Sequence, residues 1–221
     1  MMPRDFALAA FLFLAAAALT RAQVVELNGD FEKGDAPHAG KPTLWDQTDG
    51  LAVQWTSAPV LAGQPAHGKA IRLDTSLTEQ QAVASYAKAG LTQWVFPHPS
   101  ASKIAASYGV SLYSEVVPVI PGKTYQVTFD YLAEKGTAAK LWCRGYANGN
   151  AAGGQPKRSY EGIIDCGGHP GEWQHISGVF HPTKHTPNVT TMKFMLFAYY
   201  PPGVVWFDNV RVEAVDEPAA P

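Results

Sequence analysis

Long apolar runs are scarce in this 221-residue chain. The one that stands out covers 14 residues, from Phe6 to Leu19, whereas a membrane-spanning helix takes roughly 20. A short start with one arginine precedes this run, and the small-residue sequence Thr20-Arg21-Ala22 follows it. This pattern is typical of a secretory signal peptide over residues 1–22, the alternative being a membrane anchor. We therefore expect a secreted or periplasmic protein with no membrane span in the mature chain.

Blocks of positive charge are also missing. Without Arg4 and Arg21 the 17 Lys and Arg fall to 15, and without Asp5 the 19 Asp and Glu fall to 18, so the expected mature chain carries −3. A nucleic-acid-binding protein needs a basic face. We therefore expect no nucleic-acid partner.

Cysteine is rare, with Cys143 and Cys166 as the two in the chain. No C-x-x-C motif points to redox chemistry. In an oxidising compartment an even pair is usually bridged, and such a bridge contributes roughly 3 kcal/mol. The sequence thus predicts a Cys143–Cys166 disulfide.

Signatures of common hydrolases are absent as well. The chain has no G-x-S-x-G and no H-E-x-x-H. His181 and His185 have a zinc-like spacing, but Pro182 and Pro187 disfavour a helix through them. We interpret these histidines as polar loop residues.

What the chain does contain is a succession of short β-runs separated by Gly, Pro and Asn. This pattern predicts an all-β sandwich or barrel. The strongest run is "TYQVTFDYLA" at 124–133, in which Tyr125, Val127, Phe129 and Tyr131 share one face. About 200 mature residues suit one such domain, here 23–215, with 216–221 as a tail.

One segment, about 75–108, interrupts the β pattern. "SLTEQQAVASYAKAG" begins with a capping-box arrangement of Ser76 and Glu79 and stops at Gly90, which predicts a short helix. Ordered insertions of this size cover a site or merely cap one end of a sandwich, and both alternatives stay open.

Three stretches, taken together, resemble a known family. They are "NGDFEKG" at 28–34, "VPVIPGKTYQVTFDY" at 117–131 and "PPGVVWFDNVRVEAV" at 201–215. In this order and spacing they resemble the CenC-type carbohydrate-binding modules (family 4/9, with the related families 16 and 22). The resemblance implies a β-sandwich jelly roll of the galactose-binding-like class, here with one short helical insertion, and a carbohydrate partner.

The same resemblance implies a structural calcium ion that ties the first strand to the last. Carried over by motif, its carboxylate ligands are Glu32 and Asp208, with carbonyls from the loop near His67–Lys69. Two carboxylates and main-chain oxygens suit this cation. The alternative is that both are ordinary turn acids.

One strand concentrates groups that could contact a sugar. In "KLWCRGYA" at 140–147, Trp142, Arg144 and Tyr146 fall on one face with Lys140. Aromatic faces with a few polar groups are the usual surface for sugars. If Cys143 pairs with Cys166, then Arg144 faces Asp165 and Tyr146 faces Ile163.

Tyr113 and Trp94 complete the predicted ligand-binding set. The function we expect is non-catalytic binding of a polysaccharide or glycoconjugate. The alternatives are a cell-surface structural or protein-interaction module, or a small glycoside hydrolase or polysaccharide lyase.

Overall fold

A computed structural model describes residues 22–34, 41–48, 52–88, 98–150 and 156–216. Within these residues two antiparallel sheets pack face to face. The protein is therefore a β-sandwich jelly roll, as predicted. Residues 1–21 of the expected leader, Trp94, Gly90 and the tail beyond 216 lie outside the described residues.

The first sheet contains the beginning and the end of the described chain. Its strands are β1 (Gln23–Val25), β3 (Val53–Ser57), β4 (Lys69–Asp74), β7 (Lys123–Ala133), β10 (Gln174–Phe180) and β12 (Val204–Asp216). They lie in the order β10-β7-β12-β4-β3, and β1 also pairs with β12.

The second sheet contains β8, the strand that carries most of the predicted ligand-binding residues. Its strands are β2 (Trp45–Thr48), β5 (Val110–Ser114), β6 (Val117–Pro118), β8 (Ala139–Asn150), β9 (Pro156–Cys166) and β11 (Val189–Ala198). The order is β2-β5-β11-β8-β9, with β6 pairing beside β11. The sequence pattern is typical of one β-run over 109–119, but the structure divides these residues between β5 and β6.

The core lies between the sheets and follows the predicted alternation. Tyr125, Val127, Phe129 and Tyr131 of β7 are buried. Phe129 meets Phe207 of β12 with ring centroids 6.0 Å apart. Burial of these large side chains is the main favourable contribution to the fold.

The turn that follows β1 is built around Asn28, a non-glycine residue at φ 46°. Its side-chain amide donates to the carbonyls of Lys33 (2.9 Å) and Thr43 (3.0 Å). A Cβ on Gly29 would lie 1.8 Å from the Val210 carbonyl oxygen, so only glycine fits beside β12. Phe31 is fully buried. The acids of this turn therefore surround a core residue.

A second, smaller apolar cluster covers the outer face of the first sheet. Trp206 of β12 and Leu132 of β7 pack there with Ala58 and Leu61 from the segment after β3. The Trp206 indole N–H donates to Glu134 at 3.0 Å. The part of this face around Trp206 is therefore covered by the protein itself.

The predicted helix is present as α1 (Glu79–Lys88), but the predicted cap is wrong. Thr78 Oγ1 accepts from the Gln81 amide (3.1 Å), and Gln81 Oε1 accepts from the Thr78 amide (2.9 Å). Glu79 instead accepts from the Ser100 amide and hydroxyl. The capping box is thus Thr78–Gln81, with Glu79 holding the returning loop. No helix among the described residues has the length and apolarity to cross a membrane.

Candidate functional site

Four rows of side chains cross the outer face of the second sheet, because β5 or β6, β11, β8 and β9 are neighbours in register. The rows are Pro118–Thr191–Tyr146–Arg158, Lys193–Arg144–Glu161, Tyr113–Met195–Trp142–Ile163 and Ser111–Phe197–Lys140–Asp165. Leu141, Cys143 and Ala147, the alternate residues of β8, are buried in the core. The predicted face of β8 is confirmed.

A depression of about 370 Å³ lies between the last two rows, and we call it the aromatic depression. Its lining comprises Tyr108, Ser111, Tyr113, Trp142, Arg144, Met195 and Phe197. Tyr113 is 3% exposed and belongs to the floor, whereas Tyr108 is 64% exposed at the rim. The small Ser111 pairs with the large Phe197, which leaves room for a ligand.

Gly109 determines how Tyr108 enters this site. It has φ 69°, and a Cβ there would lie 2.5 Å from the Ala198 carbonyl oxygen and 2.7 Å from the Phe197 ring. Only glycine therefore brings the start of β5 so close to β11. The close approach places Tyr108 at the rim of the aromatic depression.

Cations and aromatic rings alternate along this face. The Arg144 guanidinium lies 5.4 Å from the Tyr113 ring centre and 5.5 Å from that of Trp142. Lys140 Nζ lies 5.9 Å from the Trp142 ring centre and 5.6 Å from that of Tyr199. Such contacts fix the cations against the sheet.

Two donors of this face have no acceptor among the described residues. They are the indole Nε1–H of Trp142 and the Nε–H of Arg144, both buried. Arg144 Nη1 donates to the Tyr113 hydroxyl. Unsatisfied buried donors cost free energy and are uncommon in native proteins.

The acids of the face lie on the edge strand β9. Lys140 Nζ is 2.9 Å from Asp165 Oδ1, and this hydrogen bond raises the pKa of Lys140. Glu161 Oε2 lies 3.6 Å from Arg144 Nε and 3.2 Å from Arg158 Nη1. A single carboxylate is thus shared between two guanidinium groups.

The structure brings together only part of the predicted ligand set. Tyr113, Trp142 and Arg144 line the aromatic depression. Tyr146 lies on the same face one row beyond Arg144, and Asp165 pairs with Lys140. Trp94 lies outside the described residues.

The predicted pairing of β8 with β9 is wrong by four residues. Cys143 lies opposite Gly162, and Cys166 lies opposite Ala139. Both cysteines are free, so the predicted Cys143–Cys166 disulfide is also wrong. A Cβ on Gly162 would lie 2.5 Å from Phe180, so a residue without a side chain is needed at this position, opposite Cys143.

The corrected register changes the cross-strand partners of the outward-facing residues of β8. Arg144 faces Glu161 in place of Asp165, and Tyr146 faces Arg158 in place of Ile163. Burial raises the pKa of both cysteine thiols. Neither thiol is therefore primed for nucleophilic chemistry.

Four lining residues were not predicted: Tyr108, Ser111, Met195 and Phe197. On β11 the signal was hidden, since Met192, Phe194 and Leu196 face the core while Met195 and Phe197 face outward. A central strand that is apolar on both faces would have indicated such residues, because an apolar outer face is either covered by the protein or available to a partner.

The two predicted metal ligands converge on one short segment. Glu32 Oε1 accepts from the Lys69 amide at 2.7 Å, and Asp208 Oδ2 lies 2.8 Å from His67 Nδ1. A Cβ on Gly68, between these contacts, would lie 1.8 Å from Glu32 Oε1. The turn after β1 and strand β12 therefore both contact the segment from His67 to Lys69.

Asp208 is almost fully buried at this point. Burial raises its pKa to about 6, although the hydrogen bonds from His67 and the Asn209 amide act in the opposite direction. The two carboxylates fit the preference of calcium for oxygen, but His67 contributes a nitrogen. Among the described residues, no group of three or more His, Cys, Asp or Glu side chains is placed to hold a metal ion.

Sequence comparison identifies no relative. No protein-family model matches the chain. No curated protein matches it either.

Comparison with solved structures places the fold among β-sandwich proteins. A cyclase from Fischerella sp. TAU, in complex with 4-(1H-indol-3-yl)butan-2-one, has 14% identity and a TM-score of 0.51 over 90% of this chain and 100% of that one. A family 16 carbohydrate-binding module has 13% identity and a TM-score of 0.44, over 76% of this chain and 89% of the module.

The active domain of tailspike protein 4 from bacteriophage CBA120 has 10% identity and a TM-score of 0.48 over 78% of this chain. The chain spans a fifth of that protein's length. At such low identities, likeness establishes the fold alone.

Proposed function

We propose that this protein is a non-catalytic carbohydrate-binding domain and that the aromatic depression holds a saccharide ring. The observation that carries the proposal is the lining itself, since Tyr108, Trp142 and Phe197 surround the depression with Arg144 and Ser111 beside them. Sugars bind through CH-rich ring faces on aromatic rings and a few directed polar groups. Trp142 lines the depression, so a sugar ring placed there would pack against its indole.

The size of the depression agrees with this proposal. Its volume of about 370 Å³ falls at the lower end of the range of roughly 300–1,000 Å³ for small-ligand sites. Tyr108 offers an exposed ring at the rim, and the buried Tyr113 gives a firm floor. A longer glycan would continue across the sheet toward Tyr146 and Lys193.

A glycan array followed by calorimetry tests the proposal. We expect a hit whose affinity falls at least tenfold in Trp142→Phe and is retained in Trp206→Phe, the matched change on the opposite sheet. Silence across the array would favour a protein-interaction module. New reducing or unsaturated ends after incubation would establish a hydrolase or lyase.

We also propose a calcium ion held by Glu32 and Asp208. It would compensate the buried Asp208 carboxylate and join the turn after β1 to β12. The test is thermal unfolding in calcium and in EGTA. Calcium should raise Tm in the native chain and not in Glu32→Gln, and equal Tm values in both buffers would rule the ion out.

Export is proposed on the signal-peptide pattern alone. Sequencing the N-terminus of the protein recovered outside the cytoplasm is the corresponding test. A mature chain that begins at Gln23 is the expected result, and an uncleaved Met1 would contradict it.

A further inference from the structure

The charges on the outer face of the second sheet are unequal. Across the four rows there are four cations, Lys140, Arg144, Arg158 and Lys193, against the two acids Glu161 and Asp165. This face therefore has an excess of positive charge on a chain whose formal net charge is −2. Local excess of one sign attracts ligands of the opposite sign.

The positions of these charges matter more than their sum. Both acids lie on the edge strand β9, and the Asp165 side chain is 73% exposed. Lys140 and Arg144 lie one strand further in, each with a side chain 21% exposed. Among the described residues, no acid lines the aromatic depression, whereas Arg144 does. Of these residues, a ligand placed there meets a cation and no carboxylate.

Arg144 is incompletely paired at this position. Its closest acid, Glu161, is 3.6 Å from Nε and lies closer to Arg158, at 3.2 Å. Arg144 Nε itself finds no hydrogen-bond acceptor among the described residues. A largely buried guanidinium is stabilised when a second anion accepts from it, and charge-assisted bonds of this kind are the strong ones.

From these charges we infer that the ligand of the aromatic depression is an acidic saccharide, one whose carboxylate or sulfate group accepts from Arg144. The inference rests on the proposed function, because it assumes that a saccharide occupies the depression. The sugar ring stacks on Tyr108 at the rim, and the acid group points toward Arg144. Lys140, on the other side of Trp142, lies close enough to meet the acid of a neighbouring sugar unit.

Matched ligands isolate the charge. Calorimetry compares hexamers of galacturonate, mannuronate and glucuronate with their methyl esters, which keep the sugar and remove the charge. We expect at least one acid to bind at least tenfold more tightly than its ester, and its affinity to fall as NaCl rises because salt screens the charges. A sulfated galactan hexamer distinguishes a sulfate from a carboxylate source.

Matched variants locate the effect. In the native chain the acid should bind at least tenfold more tightly than its ester. In Arg144→Gln the ratio of the two affinities should fall to about one. Arg72→Gln is the control, because Arg72 lies 5.9 Å from the Trp206 ring centre on the opposite sheet. If Arg144→Gln fails to fold, Lys140→Gln provides the second measurement, with a preference reduced by at least threefold.

The outcomes separate the two proposals. If acids and esters bind equally and both are lost in Trp142→Phe, the inference fails and the proposed function stands. If neutral glycans bind and acids do not, the inference fails in the same way. If no acidic, esterified or neutral glycan binds, the proposed function fails and the inference fails with it. A preference for acids that survives Arg144→Gln and Lys140→Gln would place the charge recognition elsewhere.

Discussion

The outer face of each sheet carries an arginine beside a tryptophan, but the two pairs differ in their hydrogen-bond partners and in how far they are covered. On the first sheet, Arg72 lies over Trp206, donates to Gln54 (3.2 Å) and pairs with Asp74 (2.9 Å). The Trp206 N–H donates to Glu134, and the ring is only 7% exposed. The protein completes every one of these interactions.

On the second sheet, Arg144 lies beside Trp142, yet the Nε–H of one and the indole N–H of the other find no acceptor in the part of the chain that the structure describes. The residues after β3 cover Trp206, whereas Trp142 borders an open depression. Residue type therefore does not distinguish a pair that the protein covers from a pair that borders an open depression. Coverage by other residues of the protein makes the difference.

The largest expected effect is a loss of stability when Trp206 of the first sheet is replaced. Trp206→Ala should lower the free energy of unfolding by about 3–5 kcal/mol, because it removes a buried ring and its hydrogen bond. Urea unfolding measures this loss. Trp142→Ala on the open face should lower the free energy of unfolding clearly less. A larger loss in Trp142→Ala than in Trp206→Ala would contradict the difference between the two faces.

The next effect is on binding, at the rim of the aromatic depression. Tyr108→Ala should weaken saccharide affinity at least tenfold, which is about 1.4 kcal/mol, because it removes the exposed stacking ring. Unfolding stability should change little, as for most exposed positions. Tyr200→Ala is the control, since Tyr200 is 63% exposed and does not line the depression. Equal losses in the two variants would mean that Tyr108 has no specific role.

A smaller loss of stability is expected when the acceptor of the Trp206 indole N–H is removed, which leaves this group unpaired, as the Trp142 indole N–H is among the described residues. Glu134→Ala deprives the Trp206 N–H of its acceptor and should cost about 1 kcal/mol. Glu134→Gln keeps an acceptor and should cost less. Urea unfolding of both variants tests this, and identical values would show that the hydrogen bond adds no stability.

The smallest expected effect concerns the cysteines. Because Cys143 and Cys166 are free, a reducing agent should leave Tm unchanged. Two thiols per chain should titrate in denaturant and react slowly in the native state, since burial raises their pKa. A drop in Tm on reduction, or a titration of fewer than two thiols, would show that Cys143 and Cys166 form a disulfide after all.

The sequence predicts best where a strand has one polar and one apolar face. On β7 and β8 the alternation assigns the inward and outward residues correctly, including Trp142 and Arg144. On β11 both faces are apolar, so Met195 and Phe197 could not be assigned to the outer face from period alone. The residues that line the aromatic depression were therefore predicted on β8 and missed on the neighbouring strand β11.

Register and capping depend on contacts that are distant in sequence. The β8–β9 pairing rests in part on Gly162 beneath Phe180, and no local pattern around Cys143 records that contact. The cap of α1 forms at Thr78, and Glu79 accepts from Ser100, which lies 21 residues further along the chain. Expectations built on the assumed disulfide, such as Arg144 facing Asp165, failed for the same reason.

The most direct test of the proposed saccharide site follows the indole N–H signals by NMR during titration with the best-binding saccharide. Trp142→Phe and Trp206→Phe assign the two resonances. We predict that the Trp142 signal shifts in a saturable manner, because the ligand occupies the depression that this ring lines, while the Trp206 signal stays in place. A saturable shift at Trp206, with Trp142 unmoved, would contradict it.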